Sequence, residues 1–122
     1  MAIKIKRSYD SPSPEDGYRV LVDRLWPRGI SRADAKLNEW PKSIAPSDEL
    51  RRWYHSNPSY WGEFRKKYLS ELKQHREILR PLAERTHKEQ VTLVYSARDE
   101  EHNNAVVLKQ YLQMLGAELF KE

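Results

Sequence analysis

Apolar and basic residues alternate at the start of the chain. Between Ala2 and Tyr9, Ile3 and Ile5 fall on one side and Lys4 and Lys6 on the other, the period of a half-buried strand expected near a sheet edge. Asp10 to Gly17 (DSPSPEDG) reads as an exposed turn or loop, because two Pro and a Gly stand among Ser and Asp. Arg19 to Leu25 follows, and its unbroken apolar Val20-Leu21-Val22 is the pattern of a strand covered on both faces, hence the expected central strand. Pro27 and Gly29 end it. Val91 to Ala97 (VTLVYSA) is a second buried-strand pattern.

The intervening chain is helical in period. Ser31 to Trp40 suits a short helix with Ser31 as N-cap and Asp34 in the first turn, stopped by Pro41. Pro46-Ser47 before Asp48-Glu49 opens another, with Leu50 and Trp53 on one face. Asn57-Pro58 gives an N-cap and a first helical residue, and Trp61, Phe64, Tyr68 and Leu72 then line one stripe. Ile78, Leu79, Leu82 and Ala83 continue it, with a kink or restart expected at Pro81. A last helix from about Glu101 to Leu115 carries Ala105, Leu108, Leu112 and Leu115 inward, with Gly116 as C-cap. Helices between buried strands require parallel pairing of the second and third strands with a right-handed crossover. The expected fold is α/β: a small two- or three-layer sandwich with a short, mainly parallel sheet flanked by helices in Rossmann-like topology, one domain over residues 1–122.

Composition sharpens this picture. Leu, Ile, Val and Phe make up only about a fifth of the 122 residues, close to the limit at which a charged chain stays unfolded; four Trp and seven Tyr supply the missing apolar area. With no Cys, disulfides, thiolate nucleophiles and thiolate metal sites are excluded. Apolar runs do not exceed about four residues and Met1 to Lys6 is no signal-peptide core, so a cytoplasmic protein without membrane attachment is expected. The net charge of +4 comes from 22 basic residues interleaved with 18 acidic ones, the mark of a mixed surface rather than a dedicated nucleic-acid face.

In open α/β sheets ligands bind beyond the carboxyl ends of the strands. That rule selects Asp23 to Gly29 and Ser96 to Asn104 (SARDEEHNN). Together they hold Asp23, Arg24, Trp26, Arg28, Ser96, Arg98, Asp99, His102, Asn103 and Asn104, so three guanidinium groups could converge on one crevice and hold phosphate or carboxylate. The same Arg residues could equally pair with Asp23, Asp34 or Asp99 in a structural network. Catalytic templates are absent: there is no HExxH, Walker A, GxGxxG or GxSxG, and no metal site or particular cofactor is indicated. His102 and Asp99 are the candidates for a proton acceptor if a reaction occurs.

The segments GYRVLVDRLWPRG (17–29), APSDELRRW (45–53) and YSARDEEHNNA (95–105) closely resemble YeaO-like members of the bacterial domain-of-unknown-function 488 (DUF488) family. The resemblance extends over nearly the whole chain, and VDRLWPRG and APSxELRxW are its distinctive motifs. It implies an α/β domain with polar motif residues near strand ends: Asp23, Arg24, Trp26, Pro27, Arg28 and Gly29, then Trp40, Pro46, Ser47, Leu50 and Trp53, then Asp99, His102 and Asn103. It brings no catalytic role. Longer relatives carry Cys and His-Arg motifs near the last helix, where this chain has Asn103-Asn104.

The residues therefore lead to a small protein that binds an anionic, phosphate-bearing small molecule. Arg24, Arg28 and Arg98 would hold the anion, Asp23 and Asp99 would orient them or accept ligand hydroxyls, and Trp26, Ser96 and Asn103 would complete the site. A nucleic-acid module using Lys4, Lys6, Arg7, Arg51, Arg52, Arg65, Lys66 and Lys67 is the alternative, and a non-catalytic structural role for the Arg and Asp motifs is the third.

Overall fold

The structure is a computed structural model and describes residues 2–120. Three strands, β1 (Ile3–Arg7), β2 (Tyr18–Leu21) and β3 (Val91–Tyr95), form one parallel sheet in the order β1-β3-β2. Five helices accompany them: α1 (Arg32–Ala35), α2 (Asp48–Ser56), α3 (Trp61–Gln74), α4 (Arg76–Arg85) and α5 (Asn104–Leu119). This is the expected small parallel α/β fold, with β1 at the expected edge and β2 and β3 parallel as inferred.

The central strand is β3, however, and not β2. Every residue of β3 is buried, whereas β2 is only four residues long and lies at the other edge. Its apolar run misleads because the segment before Trp40 covers that edge: Leu21 N donates to Glu39 O, and Asn38 N to Arg19 O. An edge strand shielded in this way acquires the composition of an interior one.

Strand register explains the two faces. Ile3, Val20, Val91, Leu93 and Tyr95 join the main core with Leu50, Phe64, Tyr68, Leu72, Leu79 and the inner side of α5. Lys4 and Arg19 both pair in register with Thr92. They meet Asp16, which is completely buried in a 3-10 turn, Pro14–Asp16, of the stretch read as an exposed loop. Asp16 accepts from Arg19 Nη1 at 2.6 Å, Lys4 Nζ at 2.9 Å and Lys6 Nζ at 3.1 Å, while its own carbonyl accepts from Thr92 Oγ1 at 2.7 Å. Burial alone would push this carboxyl up, but the three cations and the Ser13 N–H hold it well below the usual carboxylate range.

Several helix ends differ from expectation. Asn57 closes α2 instead of opening α3: its Nδ2 donates to Trp53 O, and α3 begins at Trp61 without a side-chain cap. The break between α3 and α4 falls at His75, and Pro81 stays inside α4. Pro81 is exposed, so the carbonyl that loses its donor can turn to water. Gly116 is buried within α5, which runs on to Leu119 because it continues to pack on α4 and Arg76 pairs with Glu118 at 2.7 Å. Ser31 and Ser47 do cap α1 and α2, and Phe64, Tyr68 and Leu72 are buried on one stripe as read. Among the described residues no helix is long and apolar enough to cross a membrane.

Candidate functional site

The carboxyl ends of β2 and β3 open into a cleft of about 570 Å³. The segment after β2 is fixed by its own tryptophans. Trp40 Nε1 donates to Asp23 O at 2.8 Å, Trp26 Nε1 donates to Ile30 O at 2.7 Å, and the two indoles meet edge to face at 5.3 Å. Gly29 turns the chain with φ +76°, a conformation that side chains disfavour. Trp26 thereby reaches the cleft while Arg32 lies over its ring at 4.7 Å.

Asp23 joins the two strand ends. Its Oδ2 accepts from Ser96 N at 2.9 Å and its Oδ1 from Asn104 Nδ2 at 3.0 Å; the same Asn104 amide also donates to Val22 O. Burial, only partly offset by these bonds, pushes the Asp23 carboxyl up from its ordinary value. Ser96 is linked across to β1 through a 2.8 Å bond between its hydroxyl and that of Ser8.

Beyond Ser96, Asp99 organises a tight turn. Its Oδ1 accepts from the N–H groups of Glu101 and His102, and its Oδ2 lies 3.0 Å from His102 Nδ1. These bonds hold the Asp99 carboxyl below its ordinary value. This turn delays α5 to Asn104, three residues later than its apolar period suggests. Trp61 meets the His102 ring edge to face at 5.1 Å and Tyr54 OH donates to the His102 carbonyl, so the turn leans on α2 and α3. An imidazole held at Nδ1 by a carboxylate retains Nε2 for proton exchange.

All the candidate residues from the two strand ends line this cleft: Asp23, Arg24, Trp26, Arg28, Ser96, Arg98, Asp99, His102 and Asn103. Their local chemistry is not uniform. Asn103 is buried, with Oδ1 accepting from Val106 N and one hydrogen of Nδ2 donated to Asp99 O, so it is the N-cap of α5 as well as a lining residue of the cleft. Asn104 is the residue that points back to the strand ends. Arg24 Nε donates to Pro46 O at 3.1 Å and lies 3.8 Å from Asp48, which makes it largely a tie between the cleft loop and α2. Arg28 and Arg98 are exposed, and among the described residues no carboxylate or carbonyl partners either guanidinium. The anticipated pairing of arginine with Asp23, Asp34 or Asp99 is not formed.

The middle of the chain adds a wall that strand-end reasoning does not reach. Arg51, Tyr54 and His55 come from α2, and Tyr9 follows β1. Applied to the end of β1, the same rule would have selected Tyr9; the α2 residues carried no such signal. Arg51 Nε is buried without a hydrogen-bond partner. The cleft is thus lined by four arginines, Arg24, Arg28, Arg51 and Arg98, against two aspartates, Asp23 and Asp99. Within APSxELRxW the Arg is Arg51 of the cleft wall, while three other residues are supports: Pro46 O receives Arg24, Ser47 caps α2 and donates to Glu71 at 2.6 Å, and Leu50 enters the core. Lys4 and Lys6 of the alternative basic face are turned to Asp16, Arg7 donates to Ala97 O, and Arg65 donates to Gln110. No cluster of three or more His, Asp or Glu able to hold a metal occurs among the described residues.

A small parallel α/β domain with a cationic cleft at its strand ends is the class that fold and site define. Residues 2–119 match the family model described as the inactive DUF488-N3 subclade, and the chain belongs to that family. It is 47% identical over 115 residues to the "Uncharacterized protein YeaO" of Escherichia coli (strain K12), covering 94% of this chain and all of that protein. It is 41% identical over 110 residues to "Uncharacterized protein Mb3100c" of Mycobacterium bovis and to "Uncharacterized protein Rv3073c" of Mycobacterium tuberculosis, covering 90% of this chain and 92% of each. No solved structure matches.

Proposed function

We propose that this protein binds a phosphate-bearing small molecule in the strand-end cleft and holds it without turning it over. The observation that carries the reading is the pair Arg28 and Arg98, which reach the same cleft from two different strand ends without a protein partner. Guanidinium forks left unpaired beside a cavity suit a dianion, whose charge they can meet with two bonds each. Arg51, whose Nη2 pairs with Asp48 at 3.3 Å while its Nε has no partner, adds a further positive charge to the α2 wall of the cleft. Binding without turnover is supported by the word "inactive" in the family description and by the cysteine-free chain.

Thermal melting with inorganic phosphate and ribose 5-phosphate tests this. A ligand at 100 times its dissociation constant adds about 2.7 kcal/mol. For a chain of this length that corresponds to a rise in Tm of about 10 °C. The rise is expected to vanish in an Arg28→Gln, Arg98→Gln double variant that still folds. No shift with either compound up to 10 mM would overturn the reading.

A further inference from the structure

The cleft is several times larger than a phosphate ion requires, and its walls are aromatic. Its volume of about 570 Å³ lies in the range of roughly 300–1,000 Å³ typical of sites for whole organic ligands. Trp26 and Tyr9 both line it, one following β2 and the other β1, so they flank the end of central strand β3 from its two sides. A planar ring can lie against either side chain where it lines the cleft. Each ring already has a cation on one face: Arg32 lies 4.7 Å from Trp26 and Arg7 lies 5.3 Å from Tyr9. Neither of those guanidinium groups lines the cleft, whereas both rings do.

Resting on the phosphate-binding reading of the same cleft, we propose that its ligand is a mononucleotide, with the phosphate on Arg28 and Arg98 and the base against Trp26 and Tyr9. The polar floor suits a base as well. Asp23 accepts one bond at each carboxylate oxygen and retains acceptor capacity on both, so it can accept from a base edge. A sugar phosphate would leave the aromatic surface unused, and an uncharged aromatic would leave the two arginines unused. Base stacking on an aromatic side chain supplies enough free energy for about a tenfold gain in affinity or more.

Isothermal titration calorimetry of the full chain with four probe types separates this proposal from the one it rests on. The probes are the adenosine, guanosine, cytidine and uridine 5′-monophosphates, the corresponding nucleosides, ribose 5-phosphate and inorganic phosphate. At least one nucleotide is expected to bind tenfold or more tightly than ribose 5-phosphate and than its own nucleoside, and to quench tryptophan fluorescence. Tyr9 is exposed, so Tyr9→Ser should keep the melting temperature and lower the affinity for that nucleotide by a larger factor than that for ribose 5-phosphate. Equal affinities for ribose 5-phosphate and all four nucleotides would overturn the nucleotide assignment and leave phosphate binding intact. Binding of nucleosides as tight as that of nucleotides, or no binding of any phosphate compound, would overturn both.

Discussion

Replacing Asp16 by Asn removes one negative charge from a buried cluster without changing its size, and the structure sets the expected cost. Three cations converge on Asp16, and they differ in what they can do afterwards. The side chains of Lys4 and Lys6 are 40% and 19% exposed and can carry their ammonium groups to water. The Arg19 side chain is 5% exposed and cannot; its Nε and Nη2 remain bonded to Ala35 O, but Nη1 loses its anion. Breaking a buried ion pair by removing one partner costs about 3–5 kcal/mol, and with only one cation stranded the lower end, about 3 kcal/mol, applies. Urea unfolding at pH 7, followed by circular dichroism, should show the midpoint falling by about 1–3 M at unchanged slope. The pH dependence adds a second check. Because the Asp16 carboxyl titrates lower in the folded protein than in the unfolded chain, its stabilisation is complete above about pH 5 and is lost as pH falls through the unfolded value near 3.9 toward the depressed folded value. The parent should therefore lose stability more steeply than Asp16→Asn below pH 5. A variant within about 0.5 kcal/mol of the parent at pH 7, a difference no larger than ordinary surface substitutions produce, would refute the reasoning.

Other substitutions test the supports of the site. Gly17 has φ +63°, and an added Cβ would collide with the carbonyl oxygen of Gln90; Gly17→Ala should cost at least 2 kcal/mol in the same urea assay. Asn103→Ala removes the cap of α5 and the bond to Asp99 O, and should cost about 1 kcal/mol together with faster amide exchange at residues 104–107.

Legibility in the sequence followed the range of the interactions involved. The alternation at Ile3 and Ile5, the run at Val91 to Ala97 and the stripe Phe64, Tyr68, Leu72 report local period, and these elements stand there, with β3 ending two residues early at Tyr95. Ser31 and Ser47 act within three residues and were equally readable. The identity of the central strand was not, since it depends on Glu39 covering the edge of β2, a contact no local pattern encodes. Asp16 has the sequence surroundings of a loop, with Pro, Ser and Gly about it; its burial arises from Lys4, Lys6, Arg19 and Thr92, the last of them 76 residues away. In the cleft, the strand-end rule located the two loops that meet there. It could not distinguish Asn103, which caps α5, from Asn104, which bonds Asp23, nor could it supply Arg51 and Tyr54 from a helix remote in sequence.

Arg28 and Arg98 are proposed to make the strand-end cleft an anion site. The most direct test is a titration of ¹⁵N-labelled protein with ribose 5-phosphate, followed by amide chemical shifts. Saturable shifts confined to residues 23–29, 51–55 and 96–104, and abolished by the Arg28→Gln, Arg98→Gln double variant, are the expected result. Shifts centred instead on Lys4, Lys6 and the 65–67 region, or none at 10 mM, would contradict it.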